Sequence, residues 1–180
     1  MKKIKVLLSA LAMVAAMALV SCGGKAGDDG TSSPAATGET VAFTMTYKAN
    51  GQYAAPTFTV ADDWKSIEVV FADGTDFDKI QFAVTSDSIK AKQDWGNEYY
   101  AMYPAATKTS TIVLNDYLEV NKDESDKTLK DYGATKITAI SIQNKTKEAL
   151  TVKVVSAKVT KADGSVVDVK PVGDWGSTVN

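Results

Sequence analysis

The chain has 180 residues, with 20 basic and 22 acidic side chains, a formal net charge of −2 and 44% hydrophobic residues. It has no histidine, no arginine and a single cysteine. That removes the common zinc sites, the Ser-His and Cys-His nucleophile arrangements, and the bidentate clamp for phosphate or carboxylate. An acidic chain without a basic stripe also argues against nucleic acid, which needs clustered cations on its phosphates. Carboxylates, lysines, tyrosines and amides remain, a set that favours calcium or neutral polar ligands over most catalysis.

The first element in chain order is a targeting leader. Lys2, Lys3 and Lys5 precede the apolar run Val6–Val20, about fifteen residues long where a bilayer span takes roughly 20. The run ends in Leu19-Val20-Ser21-Cys22, which resembles the lipobox of bacterial lipoproteins. The resemblance implies cleavage before Cys22, lipid on its sulfur and a membrane-anchored product. A lone cysteine in an exported chain has no partner for an internal disulfide, and lipidation accounts for it. Several acyl chains on one residue anchor firmly, at about 0.8 kcal/mol per buried CH₂. Gly23 rather than Asp follows the cysteine; by resemblance to the sorting rule of diderm bacteria, this permits the outer membrane or cell surface. Loss of the leader leaves seventeen lysines against 22 acids, a net charge near −5.

Residues 22–40 then form a linker. Gly23–Thr40 is Gly, Ser, Thr, Ala, Asp and Pro without apolar periodicity, and such composition predicts a flexible tether. The remaining residues, 41–180, suffice for one domain with a single core.

From Val41 onward short apolar alternations are broken by turn residues, which predicts an all-β domain. Val41–Ala49 places Val41, Phe43, Met45 and Tyr47 on one face, and Asn50-Gly51 turns the chain. Thr57–Val60 is a short strand. Ser66–Ala72 carries Ile67, Val69 and Phe71 on one side, before the turn Asp73-Gly74. Lys79–Thr85 sends Ile80, Phe82 and Val84 inward, with Gln81, Ala83 and Thr85 on the other phase. Glu98–Tyr103 and Ser110–Leu114 are further strands. Asn115–Tyr132 is charged, poor in apolar residues, and can contain a short helical turn. Lys136–Gln143, Leu150–Thr160 and Ser165–Val169 complete the set. The long run changes phase between Val152/Val154 and Val155/Ala157/Val159, which predicts a bulge near Val154–Val155. About nine short strands without helical crossovers predict two packed antiparallel sheets, and no fixed-period repeat points to a propeller or solenoid.

The succession WKSIEVVFADGTDFDKIQFAVTS, DWGNEYYAMYP, TSTIVLNDY, KITAISIQN and TVKVVSAKVTKADGSVVDV resembles jelly-roll, galactose-binding-like carbohydrate-binding modules. The resemblance spans roughly Val41–Val169 and is one of pattern. It implies a jelly-roll β-sandwich that holds sugar on a sheet face or in edge loops, often with a structural calcium. Such modules accompany polysaccharide-degrading enzymes; the pattern here departs from that and leads us to expect a module that stands alone on its lipid anchor.

A sugar presents a face of C–H bonds and an edge of hydroxyls, so it requires an aromatic platform beside amides or carboxylates. Trp95, Tyr99, Tyr100 and Tyr103 fall within nine positions and are the candidate platforms. Tyr99 and Tyr100 are adjacent, so a strand points them to opposite faces: one to the core, one outward. Gln81 and Gln143 are the candidate amides. Trp64 reads as structural, and Trp175 as packed against the sandwich or part of a frayed tail. Asp73, Asp76 and Asp78 of DGTDFD are the candidate calcium ligands, although the EF-hand spacing is absent. No carboxylate pair suggests a glycosidase, so the expected role is non-catalytic. Two partners stay open for an exposed aromatic face: a polysaccharide or oligosaccharide, or another envelope protein bound adhesively.

Overall fold

The computed structural model describes residues 39–89, 99–119 and 128–180. The leader, Cys22 and most of the linker lie outside these residues, as does Trp95. Among the described residues no helix is long and apolar enough to cross a membrane.

The described residues form ten strands, the longer of which follow the alternation of the sequence: β1 (Phe43–Tyr47), β2 (Thr57–Thr59), β3 (Trp64–Phe71), β4 (Ile80–Ile89), β5 (Tyr99–Met102), β6 (Thr109–Val113), β7 (Ile137–Asn144), β8 (Leu150–Lys161), β9 (Val166–Asp168) and β10 (Ser177–Val179). One helix, α1 (Leu114–Glu119), supplies the helical turn expected after β6. The first sheet runs β10-β1-β8-β3-β6, with β9 paired to β8; the second runs β2-β7-β4-β5. Every pairing is antiparallel. The fold is therefore all-β, with two sheets sharing one core.

That core follows from period-2 patterning. Phe43, Met45 and Tyr47 of β1, Ile67, Val69 and Phe71 of β3, and Val152, Val154, Ala157 and Val159 of β8 face Ile80, Phe82 and Val84 of β4 and Ile140 and Ile142 of β7. Phe71 interlocks the layers, edge-on to Phe82 of the opposite sheet at 6.1 Å and to Phe77 at 5.8 Å. Tyr47 adds a polar strap: its hydroxyl donates to the Ile142 carbonyl at 2.8 Å. Burial, assisted by the Asp174 charge, pushes that phenol far above its ordinary range, so it is a permanent donor. The phase change in β8 is resolved by a register shift: Val70 pairs with Ser156 and Phe71 with Val154, passing over Val155.

Two C-terminal features differ from expectation. Ser177–Val179 forms a strand against β1, with Met45 opposite Val179. Three residues are too few to show an alternation in sequence. Trp175 neither packs back nor lies in a frayed tail. Its ring is 70% exposed, on a turn fixed by the Asp174 carboxylate, which accepts from Ala55 N–H (2.7 Å), Gly176 N–H (3.0 Å) and the Ser177 hydroxyl (2.8 Å). Trp64 is partly buried against the core, as its strand-initiating position suggests.

Candidate functional site

The outward face of the second sheet carries the site. Gln81 on β4 and Gln143 on β7 are directly opposite one another, on the phase pointing away from the core. Their side chains meet: Gln81 Nε2 donates to Gln143 Oε1 at 2.9 Å.

The chain on either side of this pair brings up an aromatic ring. Beyond β5, residues 103–105 continue alongside β4, because Phe82 N–H donates to Pro104 C=O (3.0 Å) and Gln81 bridges to Ala105. Tyr103 is thereby held beside Gln81, with 49% of its surface exposed. On the other flank, residues 52–56 run along the end of β7. Tyr53 N–H donates to Asn144 C=O (2.8 Å), Asn144 N–H to Ala54 C=O (3.2 Å), and Ile142 N–H to Pro56 C=O (3.0 Å). Tyr53 projects with 60% exposure. These placements bring the four onto one outward surface, the Gln143–Gln81 pair in the middle and a tyrosine diagonal to it on either flank. The four line a groove of about 580 Å³, within the range of small-ligand sites. With neighbouring strands about 4.8 Å apart, the backbone segments that carry the two tyrosines stand roughly three spacings apart.

Tyr53 occupies the left-handed region at φ 67°, which costs a non-glycine residue about 1–2 kcal/mol. The surroundings enforce it. Asn144 is fully buried and bonded at both ends of its amide: its NH₂ donates to Glu148 C=O (3.0 Å), and its Oδ1 accepts from Thr146 N–H (2.9 Å) and hydroxyl (2.9 Å). This fixes the turn that receives Tyr53. From behind, Gly176 packs so closely that a Cβ there would lie 2.7 Å from the Ala54 Cβ. The exposed ring thus stands outside the core on a backbone held by its neighbours.

Of the sequence candidates, the structure brings Gln81, Gln143 and Tyr103 together. Tyr99 and Tyr100 lie on β5, the edge strand of the same sheet, with Tyr99 paired to Ile89; their side chains fall outside the described residues, as Trp95 does entirely. Tyr53 was not anticipated. The available signal was a large aromatic residue two positions past the Asn50-Gly51 turn, outside the apolar alternation of any strand.

The acidic turn does not gather its carboxylates. Asp73 pairs with Lys108 Nζ at 2.6 Å, Asp76 accepts the Asp78 N–H at 3.2 Å, and Lys79 lies 3.8 Å from Asp76. No cluster of three acidic, histidine or cysteine side chains fit to hold a metal occurs among the described residues. Comparison with known proteins finds no matching family model, no similar curated protein and no similar solved structure.

Proposed function

We propose that the chain is a cell-surface lipoprotein whose jelly-roll domain binds a polysaccharide or oligosaccharide without transforming it. The observation that carries this reading is the group Tyr53, Gln143, Gln81 and Tyr103, which line one groove. Two exposed phenol rings flank two amides in an open groove, so apolar faces for C–H stacking stand beside donors and acceptors for hydroxyls. The groove side chains are neutral amides and phenols, with no nucleophile, paired carboxylates or metal ligands among them, which suits binding rather than turnover. The strand orders 1-8-3-6 and 2-7-4-5, found in β1 to β8, are those of two interleaved Greek keys and support the jelly-roll assignment. The Leu19-Val20-Ser21-Cys22 sequence supports the anchor, attaching the domain to the outer membrane or cell surface. Many copies on one membrane would convert weak single contacts into avidity.

Isothermal titration with soluble xylan, glucan, mannan and galactan fragments tests the binding. At least one should bind saturably, and joint replacement Y53A/Y103A should weaken it roughly tenfold or more while leaving the thermal midpoint unchanged. If none of them binds, or the double variant binds normally, the saccharide reading is wrong. Metabolic labelling with a fatty-acid analogue tests the anchor: label should enter the wild-type chain and be lost in Cys22→Ser.

A further inference from the structure

We propose that the Gln81–Gln143 pair recognises two adjacent free hydroxyls on an uncharged sugar ring. This rests on the saccharide reading above and names the class of sugar that the groove accepts.

The hydrogen-bond inventory of the pair supports this directly. An isolated glutamine amide offers two N–H donors and a carbonyl with two lone pairs. Within the pair, one N–H of Gln81 is used on Gln143 Oε1. Neither amide has another hydrogen bond among the described residues. The pair therefore retains an unused carbonyl on Gln81 and an unused NH₂ on Gln143, on adjacent strands. Reversing both amides exchanges the two roles but leaves the same complement: one acceptor and one donor side by side. A hydroxyl both donates and accepts. Two neighbouring hydroxyls on a ring can thus satisfy the pair together, one donating to the carbonyl and the other accepting from the NH₂. Because the amides already hold each other, binding does not have to order them first.

The charge of the groove sets the second half of the inference. Tyr53, Gln81, Tyr103 and Gln143 are all neutral, and the chain contains no arginine. A carboxylate or sulfate on the bound ring would lose water without meeting a cation at the amide pair. A neutral ring loses only hydroxyl hydration, which the pair restores.

The test uses calorimetric titration with each bound neutral oligosaccharide in two forms, native and fully O-methylated, and with oligogalacturonate as an anionic probe. Native neutral sugars should bind. O-methylation, which removes every hydroxyl donor while keeping the ring oxygens, should weaken binding roughly tenfold or more, and oligogalacturonate should bind more weakly than its own methyl ester, which keeps the ring and linkage and removes the charge. Gln81→Leu should reproduce the loss on the native sugar and remove the discrimination against the methylated one. The ligand comparison on the unaltered protein stands even if that variant fails to fold. Equal affinity for native and methylated forms, or a preference for oligogalacturonate, overturns the proposal while leaving saccharide binding intact. Absence of binding to any sugar overturns both.

Discussion

The outward faces of the two sheets are built from the same strand geometry and differ in chemistry. Across the first sheet runs a row of Thr111, Glu68, Lys158 and Asp168, each opposite the next on β6, β3, β8 and β9, and all exposed. A second row, Thr178, Thr46 and Thr151, crosses β10, β1 and β8. This is an ordinary solvated face: alternating charges opposite one another add about 0.2–1 kcal/mol per pair and keep the sheet soluble. The corresponding rows on the second sheet hold Thr57, Ser141 and Ala83, then Gln143 and Gln81. They carry no charge, and Ser141 and Ala83 are only 8% and 4% exposed. The first sheet demonstrates that this fold accepts charge on an outward face. On the second sheet Ser141 and Ala83 are covered and so require small uncharged side chains, whereas Gln143 and Gln81 are partly exposed and still neutral, which fits the groove proposed there.

The sharpest way to erase the comparison is to separate the sheets. Phe71 is fully buried and touches Phe82 across the layers, so Phe71→Ala should cost about 3–5 kcal/mol. Urea unfolding should show the midpoint falling with little change in slope, and binding should disappear with the fold. A smaller loss is expected from Tyr47→Phe, which leaves the ring in place but removes the donor to Ile142 C=O. The unsatisfied carbonyl should cost about 1–3 kcal/mol. Saccharide affinity should be retained below the midpoint, because Tyr47 belongs to β1 of the first sheet and is buried in the core, away from the groove on the outward face of the second.

Tyr53 permits a test in which stability and binding move in opposite directions. Its ring is exposed and its φ is 67°, so Tyr53→Gly removes strain while losing little packing. The thermal midpoint should rise, by up to about 1 kcal/mol of added stability, while affinity falls. Tyr53→Ala should lose affinity without that gain, since alanine keeps the left-handed penalty. Equal stabilities for the two variants would remove the case that this loop is strained.

The fold was legible because its signal is local. Alternation of Ile67, Val69 and Phe71, or of Ile80, Phe82 and Val84, reports burial strand by strand, and the Val154/Val155 phase change reports the bulge. The site was only half legible, because it is assembled across strands. Gln81 and Gln143 could each be placed on an outward phase, but their contact depends on the β4–β7 register. Tyr53 escaped notice because its placement is set by pairing with Asn144, 91 positions along the chain, which accepts from Tyr53 N–H and donates to Ala54 C=O. Alternation also says nothing about a three-residue strand such as β10, whose placement is set by pairing with β1.

The smallest expected effect concerns how the groove-bearing sheet is secured at its far end. The Asp87 carboxylate, on β4, accepts from Thr135 N–H (2.8 Å), the Thr135 hydroxyl and Lys136 N–H (3.1 Å). Lys136 in turn pairs with Asp62 at 2.7 Å. Desolvation alone would raise the Asp87 carboxyl, but these hydrogen bonds outweigh it and hold it below its ordinary value of 3.8. A depressed folded value means that near pH 3.8 the unfolded chain binds the proton more readily. This contribution is therefore present above that pH and is lost as pH falls toward the lower folded value. Glu39 and Asp163 shift in the same direction, so acid unfolding of the wild type sums several groups. Asp87→Asn isolates the one that matters here, because the amide keeps an acceptor oxygen but does not titrate in this range. Urea midpoints followed from about pH 6 to about pH 3 should fall less steeply in Asp87→Asn than in wild type. Parallel curves would mean that Asp87 contributes no pH-dependent stability to the junction between β4 and the chain entering β7.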